Sequence, residues 1–219
     1  MLIIRFCVKF IRLRNSNIFF LSQQKFVFLK QHRDLKMKYN LESVLESFDR
    51  GDRQKFIYFW GNQPDRSGLI TSSCLSQWWA APFVEDGVIY KTAEHWMMAQ
   101  KAALFDNDDI FQKIILAKSP AEAKELGRQV RDFREDVWLE KRSEIVIKGS
   151  LLKFSQHKEL DAFLSNTKDR ILVEASPVDV VWGVGLAAVD EKIKNPNHWN
   201  GLNLLGFALM EVRDILEAK

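Results

Sequence analysis

The chain has 219 residues, 47% hydrophobic and 28% charged, which fits one large globular domain with an appended segment and excludes wholesale disorder. Ten Gly and five Pro exclude collagen-like and loop-dominated architectures, Cys7 and Cys74 are too few for a disulfide framework or a cysteine zinc site, and no two of His32, His95, His157 and His198 stand at metal-ligand spacing. The net charge of +3 is uneven: residues 1–36 hold eight basic side chains against Asp34, a local +7, which leaves −4 for residues 37–219.

In chain order, residues 1–36 form a basic extension. Arg5, Lys9 and Arg12 share one helical face of an otherwise apolar segment, a pattern that fits an organelle transit peptide or a surface-seeking helix. A third reading starts the functional protein at Met37 and places the extension outside it. A nucleic-acid-binding arm is a weaker idea, because basicity is confined to this sixth of the chain. No stretch approaches the ~20 apolar residues of a membrane span, so the expected setting is cytoplasmic, with no membrane partner.

From Met37 onward no linker, repeat or low-complexity tract interrupts the chain, so residues 37–219 read as one domain. Residues 55–60 are β-prone, 61–73 are a polar loop, and 82–90 suit a hairpin turning at Asp86-Gly87. A helix is expected from Thr92 to Phe105, capped by Thr92. Ser119-Pro-Ala-Glu122 is a capping box with Pro at N1, opening a helix to about Arg131. Further helices fit 135–154, 158–165 and 204–216. Residues 170–174 and 179–182 suit short buried strands. The expectation is four or five helices around a small β-sheet: mostly α, in an α+β arrangement.

The helix 92–105 is the most informative segment for chemistry. Glu94 and Lys101 are two turns apart on one face, about 10 Å along the axis, and side chains lean toward the helix N-terminus, so Lys101 tilts toward Glu94. An acid and an amine on a common cleft suit proton transfer or attack by lysine on an aldehyde-like carbon; the same spacing also suits a solvated face with a weak ion pair. Seven tryptophans are many for this length, and indoles beside polar neighbours suit stacking on a heterocyclic base. Trp60-Gly61 and Trp182-Gly183 stand out, since glycine lets a backbone approach a ligand closely. Glu174 and Asp179 flank a turn, and a second acid there would stabilise positive charge at a sugar carbon; turn capping by Asp179 is the plainer alternative. Among the helical cations Arg128, Arg131, Arg142, Lys148 and Lys153, one or two are candidates to meet a substrate phosphate, although most such charges form a wet face.

These segments together resemble the YbiA-like, or NADAR, family. The resemblance rests on Cys74–Phe83, Asp86-Gly87, Tyr90-Lys-Thr-Ala-Glu-His-Trp-Met-Met-Ala-Gln-Lys101, Ala123–Arg128, Trp138, Lys153-Phe154, Glu174–Asp179, Trp182–Gly185 and Trp199–Gly206. It spans about residues 55–217. It implies a mostly helical, metal- and cofactor-free N-glycosidase that splits ribose C1 from a nitrogen of a heterocycle. Two substrate classes are implied: phosphoribosylamino-pyrimidine intermediates of riboflavin biosynthesis, and ADP-ribosylated guanine. On the same basis Glu94 is the acid/base, Lys101 a Schiff-base nucleophile and Asp179 a third catalytic group. Trp60, Gly61, Ser76, Gln77, Trp138, Trp182, Gly183 and Asn203 are expected around the substrate. Leu75-Ser76-Gln77-Trp78 stands where many relatives have Leu/Phe-Ser-Asn-Phe, which points to an altered base or leaving-group pocket. The alternative from a different class is a module that holds ADP-ribose without turnover.

Overall fold

The computed structural model describes residues 37–218; the readings of the basic extension fall outside them. Among the described residues there are seven α-helices, two two-stranded sheets and short 3-10 turns. Helix α1 (Leu41–Asp49) starts at Asn40, whose side chain accepts from Ser43 N–H. Strand β1 (Phe56–Phe59) follows, and the hairpin β2 (Phe83–Glu85)–β3 (Val88–Tyr90) turns at Asp86 (φ 51°) and Gly87 (φ 78°), the two positive φ angles that a two-residue turn between right-twisted strands needs.

Helix α2 (Ala93–Leu104) is buried on almost every side, as its weak amphipathicity allows, and packs against α3 (Asp108–Leu116), α4 (Pro120–Gly127) and the long α5 (Glu135–Ser155). Contact with α5 is close because Gly149 faces Trp96: an added Cβ would lie 2.2 Å from its ring, and the indole N–H donates to Ile145 O at 2.8 Å. The Ser119 cap at α4 forms as expected, with Ser119 Oγ accepting from Glu122 N–H at 3.2 Å, while the reciprocal bond reaches one residue further back, Glu122 accepting from Lys118 N–H at 2.7 Å. Helix α6 (Lys158–Ser165) leads to strand β4 (Ile171–Glu174), and α7 (Leu204–Glu217) closes the fold over β4 and α5. It buries Leu205, Phe207, Leu209 and Val212, each contributing about 1.5–3 kcal/mol by leaving water.

Strands β1 and β4 pair in parallel, with Phe59 opposite Glu174, so the segments that leave them, Trp60-Gly61 and Ala175–Asp179, emerge side by side. That end of the sheet carries the site. The buried histidine at this level, His95, is structural: Thr92 hydroxyl and Ala117 carbonyl occupy its two ring nitrogens at 2.9 and 3.3 Å, and burial lowers its pKa.

The mostly helical class is as expected, with four corrections of detail. Two helices, α1 and α3, were not anticipated. The β-structure is two separate pairs rather than one sheet. Helix α4 stops at Gly127, four residues short of Arg131. Residues 179–182 form a turn instead of a strand, because Asp179 Oδ1 accepts from the N–H groups of Val181 and Trp182 at 2.9 and 2.8 Å and so occupies donors that a ladder would use. Among the described residues no helix is long and apolar enough to cross a membrane.

Candidate active site

A cavity of about 520 Å³ opens beyond the carboxyl ends of β1 and β4, a volume in the range of small-molecule sites. Its walls come from the loop after β1, the 76–78 segment, the faces of α2 and α4, the first turn of α5 and the 174–182 segment. Glu94, Lys101, Asp179, Trp60, Gly61, Ser76, Gln77, Trp138 and Trp182 all line it.

Glu94 sits in the first turn of α2, only 3% exposed. Its backbone N–H donates to Gln77 O at 3.0 Å, locking the helix start onto the 76–78 segment. Its Oε1 is enclosed and has no hydrogen-bond partner. Burial pushes its pKa up to about 7, with Asp179 adding to the rise and Lys124 and a hydrogen bond from Trp78 opposing it. Such a carboxyl is populated in both protonation states at neutral pH, as a group that must accept and donate needs to be.

Two turns along, Lys101 Nζ donates to Gly127 O at 2.9 Å and lies 4.4 Å from the Phe133 ring centroid and 5.8 Å from that of Trp138. Burial, then Arg128, lowers its pKa, which raises the fraction of free amine. Among the described residues it forms no ion pair with Glu94. The two groups face one cavity rather than neutralising each other.

Asp179 does two things at once. Its Oδ1 caps the turn and thereby fixes Trp182 on the cavity wall, while the residue itself lines the cavity beside Glu174. Ser76 and Gln77 are held from behind by Lys153 (1% exposed), whose ammonium donates to Cys74 O at 2.6 Å and Ser76 O at 2.9 Å. Among the described residues no carboxylate pairs with it, and burial lowers its pKa to about 7. Trp60 stands at the mouth, 59% exposed.

Gly183 and Asn203 are not on the wall. A Cβ at Gly183 would come 2.8 Å from Glu174 O and 3.0 Å from Asp179 O, so this glycine permits the turn to fold against its own backbone instead of approaching a ligand. Asn203 is fully buried at φ 54°, and its side chain accepts from Glu174 N–H at 3.0 Å and donates to Leu172 O at 2.9 Å. It clamps β4 from behind the site. The cavity also holds Glu174 and Trp78, which the sequence singled out without placing them among the site residues, and Lys124, Met97 and Met98, which it did not flag as contacts. The spacing of Lys124 and Arg128, four apart after a capping box, was a signal for one cationic face of α4; both line the cavity.

The NADAR domain model matches residues 58–217. The chain belongs to the NADAR family. It is 37% identical over 168 residues to N-glycosidase R617 of Acanthamoeba polyphaga mimivirus, covering 74% of this chain and 97% of that protein. It is 33% identical to N-glycosidase YbiA of Escherichia coli over 63% of this chain and 77% of the relative. A match to the chloroplastic riboflavin biosynthesis protein PYRR of Zea mays, 36% identical, spans 58% of this chain but 20% of that longer protein. Among solved structures, the NMR structure of E. coli YbiA superimposes with a TM-score of 0.61 at 30% identity, covering 76% of this chain and 87% of the other. The NADAR chain described here is thus an enzyme acting on N-glycosyl compounds.

Proposed function

We propose that this NADAR enzyme hydrolyses the bond between ribose C1 and an amine nitrogen of a heterocycle, releasing the base and phosphoribose or ADP-ribose. The observation that carries the reading is the shared cavity of Glu94, with its unpartnered enclosed oxygen, and Lys101, an amine desolvated against Phe133 and Trp138. The ribosylamine ring opens to a C1=N imine, an isomerisation that adds no atoms. Lys101 nitrogen adds to C1, and Glu94 carries its proton to the heterocycle's nitrogen. The C1–N bond to the heterocycle then breaks as a second proton reaches the departing nitrogen, leaving C1 bound to Lys101 as a protonated imine. Water adds to C1, Glu94 relays the hydroxyl proton to the lysine nitrogen, and the sugar departs as the aldehyde.

Asp179 stabilises the positive charge that develops at C1, and Trp138 and Trp182 hold the base between their rings. Ser76, Gln77, Trp60 and Gly61 contact the rest of the substrate, with Arg128 available to a phosphate. The names of the relatives support an N-glycosyl substrate, and PYRR's name favours the riboflavin-intermediate class.

Product analysis by mass spectrometry tests this reading. The enzyme is offered a phosphoribosylamino-pyrimidine in one reaction and an ADP-ribosylated guanine oligonucleotide in another. Release of ribose 5-phosphate assigns it to metabolite clearance, and release of ADP-ribose to reversal of a nucleobase modification. No release from either, with tight ADP-ribose binding by calorimetry, would replace the enzyme reading with the non-catalytic module.

A further inference from the structure

Expulsion of the heterocycle requires one proton more than Glu94 supplies. Once Lys101 has added, C1 carries two nitrogens, the alkylamine of Lys101 and the less basic, conjugated nitrogen of the heterocycle, and the one that takes a proton leaves. A group that delivers a proton selectively to the heterocycle's nitrogen decides the direction of the reaction. The cavity contains a second acid suited to this, outside the Glu94–Lys101 pair.

Glu174 ends β4, and its backbone is fixed on three sides. It pairs in register with Phe59, its N–H donates to Asn203 Oδ1 at 3.0 Å, and its carbonyl accepts from Val184 N–H at 3.0 Å. The side chain lines the cavity, and Oε2 is enclosed without a hydrogen-bond partner. An ionised carboxylate is poorly satisfied there, whereas a protonated acid has a free O–H to offer an incoming nitrogen. Two charged groups act in the same sense: Asp179 from the following turn and Glu94 from α2 repel a further negative charge, while Lys124 from α4 opposes them.

We propose that Glu174 is a second catalytic acid of this enzyme, protonating the leaving nitrogen of the heterocycle while Glu94 moves protons on and off Lys101. This rests on the N-glycosidase reading above. As the C1–N bond breaks, its electron pair stays on the heterocycle's nitrogen and the Glu174 proton moves there. The lone pair of Lys101 nitrogen closes to C1=N, and Glu174 is left as a carboxylate. The water that next adds to C1 returns its proton to Glu174, restoring the acid for another turnover.

Support comes from the shared environment. Burial, reinforced by Asp179 and Glu94, pushes Glu174 up to about 8, and burial likewise raises Glu94. The two titrate as a coupled pair, because each disfavours a second negative charge beside it. Activity therefore rises as the pair loses its first proton and falls as it loses its second. Deprotonation of Lys101 contributes only to the rising side.

The test compares wild type, Glu174→Gln and Glu174→Asp on whichever ribosylated substrate the wild type cleaves. Gln should lower kcat about 100-fold or more, leave KM within about twofold and abolish the alkaline fall of the pH profile; Asp should restore part of the rate together with that fall. Full kcat in the Gln variant, or a Gln variant that keeps the alkaline fall, overturns the proposal. Infrared spectroscopy at neutral pH gives a readout independent of turnover. In a Glu94→Gln background, where that carboxyl contributes no band, the carbonyl stretch of a protonated carboxylic acid should persist at neutral pH and disappear when Glu174→Gln is added, and its absence from Glu94→Gln also overturns the proposal. A wild type that cleaves nothing counts against the N-glycosidase reading, while the infrared band still decides the state of Glu174.

Discussion

Replacing Glu94 with glutamine should make the protein more stable and inactive, and the gain in stability should depend on pH. In the unfolded chain this carboxyl ionises near 4.5, but in the folded protein burial holds the proton until about 7. The folded state binds the proton more tightly, so its stability is complete at acidic pH and declines as pH rises from 4.5 through 7. A displacement of that size corresponds to about 3 kcal/mol at pH 8. Glutamine carries no charge at any pH and escapes the loss. Its side-chain oxygen still accepts from Trp78, and Oε1 has no partner to forfeit in any case. Urea denaturation of wild type and Glu94→Gln at pH 4.5 and pH 8 measures the difference. The variant should match the wild type at the lower pH and exceed it by about 3 kcal/mol at the higher, equivalent to about 6–12 °C in Tm for a chain of this size. Lys153 also has a displaced pKa, but it is common to both proteins and cancels. Equal stability at both pH values, or a variant less stable at pH 8, would refute the claim that Glu94 is strained by burial at the reaction centre.

Three other expectations follow from the geometry. Asn203→Ala removes the clamp on Glu174 N–H and Leu172 C=O, leaving buried backbone groups unpaired at a cost of about 2–4 kcal/mol; thermal melting reads it directly, and an unchanged Tm would show that the clamp contributes nothing. Gly206→Ala should be worse tolerated than an ordinary helical substitution, since the new Cβ would fall 2.0 Å from Leu172 O; a variant that expresses and melts like wild type contradicts the close approach of α7 to β4. Trp60→Ala should leave stability within about 0.5 kcal/mol, because the indole is mostly exposed, yet raise KM. An unchanged KM on both substrate classes would remove Trp60 from the site.

The legible parts of this molecule were those written in local chemistry. The two-turn spacing of Glu94 and Lys101, the Thr92 cap and the Ser119 capping box fixed α2 and α4 and put an acid and an amine on one wall. The parts that escaped depend on what is distant in the chain. Val180-Val181-Trp182 is apolar enough for a strand, but the carboxylate of Asp179 claims its N–H groups first. Gly183 and Asn203 stand in a segment that does reach the site, yet one makes room for the backbone of Glu174 and the other ties that backbone down. Helix α3 begins two residues after Asp106, which sits at φ 55°, a chain reversal that a charged Asp-Asn-Asp-Asp run does not by itself distinguish from loop. Glu174 looked like half of a turn motif. Its enclosure beside Glu94 and Asp179 arises only when β4 pairs with β1 and α2 packs above them.

In the proposed reaction Lys101 bonds covalently to the sugar. Wild-type enzyme, turning over substrate, should be quenched with borohydride, digested and mapped by mass spectrometry. A reduced sugar adduct should appear on Lys101 and be absent from Glu94→Gln and from reactions without borohydride. Rapid turnover with no adduct on Lys101, together with full activity in Lys101→Met, would contradict it.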